Sequence, residues 1–212
     1  MKLYYTPGTV SLAAHIALDM SGINYQAVAI DFSKAEQKGE QFLAINPLGR
    51  VPALITDEGV ITEVIAILNY VSKNAVDRTG LLAKSNAQNS FFKAKVDAFN
   101  SFLSSTVHVG HAHLWRSERW ATQADSKADM AIKATQNMQE YFELIEQKLF
   151  IGPWVQGEQF SSSDILLFVI TRWLEGDGVD PTQFEKVNSH YAKMLEIPEV
   201  TSLVNGLHAK KG

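Results

Sequence analysis

The side chains and peptide groups that could do chemistry fall into a few local groups. In Asn46-Pro47-Leu48-Gly49-Arg50-Val51-Pro52-Ala53-Leu54 a proline stands immediately before a strand, where it has no amide to give to the ladder. X-Pro bonds alone adopt the cis form at modest cost, about 0.5 to 1 kcal/mol. A cis Val51-Pro52 bond turns the Val51 backbone outward, so that its amide and carbonyl can pair with an extended peptide ligand as another strand would. A trans bond makes Pro52 the ordinary first residue of a buried strand. Glu63 opens a helix, where the dipole favours a carboxylate that can also accept a ligand ammonium; the plain alternative is an N-terminal helix acid. His108, His111 and His113 invite a metal reading, but residues five apart on a helix diverge by about 140° and no carboxylate adjoins them in the sequence. No metal site is expected. Ser161-Ser162-Ser163-Asp164 has the pattern of a capping box with Asp in place of Glu, in which Ser161 caps the amide three residues on; this group is structural.

These groups need elements to hold them. Lys2 to Tyr5 reads as a strand, and Leu12, Ile16, Ala17 and Met20 recur at helical steps up to Gly22. Tyr25 to Ile30 is strand-like, Lys34 to Leu43 is polar and loosely helical, and Asn46 to Gly49 is a turn cluster. Pro52 to Thr56 and Val60-Ile61 flank Asp57-Glu58-Gly59 as a hairpin. Glu63 to Ser72 is helical, with Ile65, Leu68 and the Tyr70-Val71 pair inward. From about residue 87 helical spacing takes over, in Phe91 to Trp120, Ala124 to Phe150, Ser163 to Leu174, Pro181 to Leu195 and Pro198 to His208. The order is βαβαββα followed by helices alone.

Composition bounds the class. Of 212 residues 46% are hydrophobic and 20% charged, which excludes a mainly disordered, collagen-like or coiled-coil chain. Lys and Arg number 19 against 23 Asp and Glu, a formal net charge of -4, so nothing electrostatic draws the chain to nucleic acid or an anionic membrane. A small partner is expected. Met1 to Gly8 lacks the features of a signal or transit peptide, and no run of about eighteen apolar residues occurs, so the expectation is a soluble cytoplasmic protein. Cysteine is absent, which removes disulfides, thiolate metal sites and a catalytic Cys together. Any sulfur chemistry must use a thiol from outside.

With these pieces in place the chain resembles the glutathione transferase superfamily, most closely its bacterial beta-type class, over essentially its whole length. Four marks carry the resemblance: Lys2-Leu3-Tyr4-Tyr5-Thr6-Pro7-Gly8 with Ser11-Leu12 and His15; the stretch from Asn46 to Leu54; Thr62-Glu63 before the next helix; and Phe160-Ser161-Ser162-Ser163-Asp164. It implies an α/β plus all-α chain: a thioredoxin-like βαβαββα domain over residues 1–76, a linker over 77–86 and an all-helical domain over 87–212. It also implies glutathione as co-substrate with no metal, a homodimer, a role in detoxification and a cis bond at Pro52. Val51 and Pro52 would hold the tripeptide's main chain, Glu63 its γ-glutamyl end, and Lys34 its glycyl carboxylate.

Such a protein must hold the thiol as its thiolate, because only the anion is a good nucleophile. The donors the resemblance points to lie in the loop after the first strand and at the start of the first helix. Val10 stands where the beta-type class has cysteine, which rules out disulfide exchange through that residue. Ser11 is then the first candidate donor to the sulfur and Tyr5 the second, while His108 matches a class histidine near the thiol. Val64 stands where many relatives have serine, leaving its backbone amide to donate. Leu114, Trp115 and Trp120, with His111, either wall an apolar electrophile pocket or pack in the core. The implied activity is conjugation of glutathione to an apolar electrophile. The alternative is a glutathione- or ligand-binding protein of the same fold with little or no turnover.

Overall fold

The structure, a computed structural model, describes residues 1–76 and 90–209. The expected linker at 77–86 lies outside the described residues. The chain forms two compact units, Met1–Gln88 with Leu195–Gly212, and Asn89–Met194. The second unit therefore ends earlier than the expected helical domain.

The first unit is built on β1 (Lys2–Tyr5), α1 (Ser11–Ser21), β2 (Gln26–Ala29), α2 (Glu40–Leu43), β3 (Ala53–Thr56), β4 (Gly59–Thr62) and α3 (Val64–Asn74). The sheet order is β2-β1-β3-β4, with β1 parallel to β2 and the other pairs antiparallel. The parallel pair requires the α1 crossover, and the antiparallel β3–β4 pair closes through the Asp57-Glu58 turn. Pleating sorts the β1 side chains to two faces. Tyr5 packs on His15 of α1 with ring centroids 4.7 Å apart, and Tyr4 meets Phe42 of α2 at 5.7 Å. On the α2 face Ile30, Phe42 and Ala53 form a small core with Phe32, Ile45 and Val51 around it.

The α1 helix ends at Gly22 in the left-handed region, as its sequence predicts. All of its residues but Asp19 are buried, because α3 and a late helix, α9 (Pro198–Ala209), both pack on it. The inward set of α3 is Val64, Ile67, Leu68 and Val71. This corrects the expected set: Ile65 and Tyr70 are half-buried, since the face that packs inward runs through Val64, Ile67, Leu68 and Val71 at helical steps of three and four. The polar stretch after β2 yields only a 3-10 turn, Glu36–Lys38, and the single turn of α2.

The second unit contains α4 (Ser90–Phe102), α5 (His108–Trp115), α6 (Ala124–Leu144), α7 (Ser162–Thr171) and α8 (Glu185–Leu195). A π-helical turn, Leu103–Val107, joins α4 to α5, and a second, Ile145–Leu149, extends α6. Gly110 lets α5 approach α6 closely: a Cβ there would lie 3.1 Å from the Tyr141 ring. Every residue of α7 is buried, which explains its nearly unbroken apolar run.

The α7 start bears the predicted capping box. Ser161 Oγ accepts from the Ser163 amide at 3.2 Å and closes the box with the amide three residues on, and Asp164 Oδ2 accepts from the Ser161 amide at 2.7 Å. Asp164 does more than cap. Its Oδ1 accepts from the Val155 amide at 2.8 Å and faces His190 Nε2 at 3.1 Å, all fully buried. Ser161→Ala should cost about 1 kcal/mol, the usual loss of a cap. Asp164→Ala, which strands two buried amides and His190, should cost on the order of 3 kcal/mol or more. Urea denaturation of the two variants checks the ranking; equal losses would remove the wider network's role.

Candidate active site

Three chain segments meet at one end of the first unit's sheet. The register pairs Tyr4 and Thr62 with Ala53. Continued by one residue, it sets Pro52 opposite both Tyr5 and Glu63. The loop after β1, the bend before β3 and the start of α3 thus share one edge.

The bend is cis at Val51-Pro52, which decides between the two readings of that proline; a second cis bond is at Gly152-Pro153. Asn46, almost fully buried, shapes the approach by donating from Nδ2 to the Arg50 carbonyl at 2.6 Å and accepting from the Leu48 amide at 3.1 Å. Gly49 has φ +61, and a Cβ there would sit 2.8 Å from the Gln37 carbonyl oxygen, so only glycine fits. Val51 then emerges with neither its amide nor its carbonyl paired among the described residues.

Glu63 is exposed and precedes α3 with φ 66 and ψ 126, a conformation that costs a side-chain-bearing residue about 1–3 kcal/mol. Its carboxylate has no partner among the described residues, and no side chain caps the first amides of α3. Val64 buries its side chain in the unit and so leaves only its amide for a ligand. Lys34 is 73% exposed and tied to Asp31 at 3.2 Å.

The β1–α1 loop departs from expectation. Ser11 is 0% exposed, and its hydroxyl is engaged inside the loop. It accepts from the Thr6 amide at 3.0 Å, and lies 3.1 Å from the Thr6 carbonyl and 2.7 Å from Thr9 Oγ1. Thr9 Oγ1 in turn accepts from the Ser11 amide at 3.3 Å and donates to the Thr6 carbonyl at 2.9 Å. The two hydroxyl protons are spent within this triangle, so Ser11 braces the loop. The Val10 side chain is buried, while its amide, at the positive end of α1, has no partner among the described residues. Tyr5 is buried against His15, which lies edge-on to Tyr25. The Tyr25 hydroxyl donates to Asp19, and burial first, then that carboxylate, pushes it above the ordinary tyrosine range.

In the second unit His108 begins α5 with its ring 5.2 Å from that of Trp173. His111 stacks on Trp173 at 4.2 Å and holds Asp177, and His113 packs edge-on to Trp120 at 4.5 Å, so His108 and His111 share Trp173 while His113 stands apart. Trp115 and Trp120 are half exposed rather than core residues. Sequence reasoning missed Thr9, Asn46, Trp173 and Asp177. The Thr-x-Ser spacing and the Asn-Pro turn were available signals for the first two; nothing local marks the last two.

The chain is similar to known proteins over nearly its full length. The family described as Glutathione S-transferase, N-terminal domain, matches residues 1–73. Glutathione S-transferase GstA of Escherichia coli is 31% identical over 202 residues, covering 94% of this chain and 95% of that one. A glutathione transferase homolog from sulfitobacter, crystallised with bound glutathione, superposes with a TM-score of 0.89 at 37% identity and 97% coverage of both chains. A bacterial beta class glutathione S-transferase from Sphingomonas chungbukensis gives 0.81 at 26% identity, with 98% of each chain covered. Fold and relatives together define a thioredoxin-like unit carried with a helical one. The chain belongs to the glutathione transferase family.

Two outcomes test this geometry. The Asp31 carboxyl is held down to about 2, first by the Ser33 hydroxyl and then by Lys34. Its folded value lies below its unfolded one, so these contacts stabilise the loop above about pH 4 and are lost as pH falls through about 2. A carbon NMR titration should place the Asp31 midpoint near 2, and Ser33→Ala should raise it. Gly49→Ala should destabilise the protein by about 1–3 kcal/mol in urea melts, through left-handed strain and the Gln37 clash.

Proposed function

We propose that this protein is an active glutathione transferase. Glutathione lies along the end of the sheet in the first unit with its thiol ionised, and the thiolate attacks an apolar electrophile. The observation that carries the reading is the partnerless Val51 amide and carbonyl, one register step from β3 and beside Glu63. Such a peptide group accepts an extended ligand as an added strand. Glu63 and the Val64 amide take the two charges of the γ-glutamyl end, and Lys34 reaches the glycyl carboxylate. The bound glutathione in the similar sulfitobacter structure supports the ligand's identity.

A thiol titrates near 8.5, and lowering that by about two units requires roughly 2.7 kcal/mol of preferential stabilisation of the anion. One charge-assisted hydrogen bond contributes about 1.5–3 kcal/mol, so the Val10 amide at the α1 terminus is of the right size. Ser11 acts by bracing the turn that presents this amide. Tyr5 stays in the core.

The carrier reading draws on the same loop, since its hydroxyls are already spent and Val10 offers no thiol. Calorimetry with reduced glutathione and steady-state conjugation of chlorodinitrobenzene separate the two. The wild type should bind and turn over. Glu63→Gln should weaken glutathione binding roughly tenfold or more by removing a charge-assisted contact. Absence of binding at millimolar glutathione defeats the proposal, and binding without turnover across a broad electrophile panel favours the carrier.

A further inference from the structure

The first unit carries a polar hollow at the end of its sheet opposite the proposed glutathione edge. The register pairs Gln26 with Lys2, so Tyr25, one residue earlier, stands at the start of β1, whereas the glutathione edge lies past Tyr5. The α1 helix joins the two ends, with Val10 before its first turn and Asp19 in its last. Its eleven residues separate them by about 15 Å. Between that last turn and the start of β2 is a hollow of about 160 Å³, lined by Leu18, Asp19, Ile23, Asn24 and Tyr25.

Asp19 is poorly placed for the helix alone. A helix C-terminus favours cations and disfavours carboxylates, and the last turn of α1 has no basic residue. The side chain is half-buried, and among the described residues its carboxylate meets only the Tyr25 hydroxyl, which donates to Oδ1. Oδ2 is left open. The wall around it is braced: Ser21 Oγ donates to the Leu18 carbonyl at 2.7 Å and accepts from the Ile23 amide at 3.1 Å. His15 meets the Tyr25 ring edge-on at 5.7 Å and packs in turn on Tyr5.

The lining selects an occupant. Burial, then Asp19, pushes the Tyr25 phenol above its ordinary range, so it keeps its proton for Asp19 and its lone pairs for accepting. Asn24, exposed at the rim, adds an amide oxygen. Three oxygens, one of them charged, match the three N–H donors of a primary ammonium. Leu18 and Ile23 offer apolar surface to a methylene stem. Calcium and magnesium need about six oxygen ligands and favour several carboxylates, whereas this hollow has one, and no group of three metal-binding side chains occurs among the described residues.

We propose that this hollow binds the ammonium of a small primary alkylamine, with Asp19 Oδ2 as counter-ion and Leu18 and Ile23 against its stem. Dipole and carboxylate both attract the cation, so occupancy relieves the conflict at the last turn of α1. The site lies wholly within the first unit and does not depend on the glutathione transferase reading.

An amide NMR titration of the intact protein with n-butylammonium chloride at constant ionic strength tests the site. The amides of the five lining residues should shift saturably, with a Kd of about 1–30 mM, a reasonable range for so small a ligand. Asp19→Asn keeps an acceptor for Tyr25 and removes the charge that the helix end opposes. Its melting temperature should therefore not fall, while affinity drops about tenfold or more. Two controls use the wild type alone. 1-Butanol has the stem without the charge, and tetrabutylammonium has the charge without N–H groups and is too bulky to enter; neither should shift these amides saturably. No saturation with butylammonium up to about 100 mM, undiminished affinity in Asp19→Asn, or matching shifts with either control overturns the site. None of these results bears on glutathione binding at the other end of the sheet.

Discussion

Folding normally spends every buried peptide hydrogen bond, and at one sheet end this chain leaves several unspent. Val51, Val10 and the first amides of α3 owe this to local covalent facts: the proline that cannot pair, and helix starts whose first amides have no carbonyl behind them. Register then brings the β1 loop, the Val51 bend and Glu63 to one edge. In the function proposed above, the ligand would complete a ladder that the protein does not complete alone, through main-chain groups joined by the Glu63 side chain. That explains how Val10 and Val64 can stand where relatives carry cysteine and serine without removing the donors.

Rigidity at this edge comes from small polar residues behind it. Asn46 closes the turn that delivers Val51, and the Thr6–Thr9–Ser11 triangle closes the turn that delivers Val10. In the helical unit buried Asp177 likewise holds His111 and Trp115.

Much of this was legible in the sequence. The βαβαββα order, the end of α1 at Gly22 and the Ser161 cap follow from periodicity and capping chemistry, which act over a few residues. The bend at Pro52 was legible as a choice, and the fold made the choice. The bracing role of Ser11 was not legible because a hydroxyl at a helix start looks the same whether it faces out or in; its contacts within the loop reveal the direction. Asp177 was invisible because its partners His111 and Trp115 are more than sixty residues away. The exposure of Trp115 and Trp120 was not legible because residue type and spacing near a helix end do not say which side chains the packed neighbours cover.

The packing of α9 on α1 carries a consequence for biosynthesis. A chain emerging from the ribosome has made β1 to α3 long before residues 198–209 exist, yet the outer side of α1 is covered only when Val200 and Val204 are buried. The first unit therefore waits, with apolar surface uncovered, through the synthesis of the whole helical unit. Its completion is the latest event in the chain's assembly although its strands are the earliest to appear.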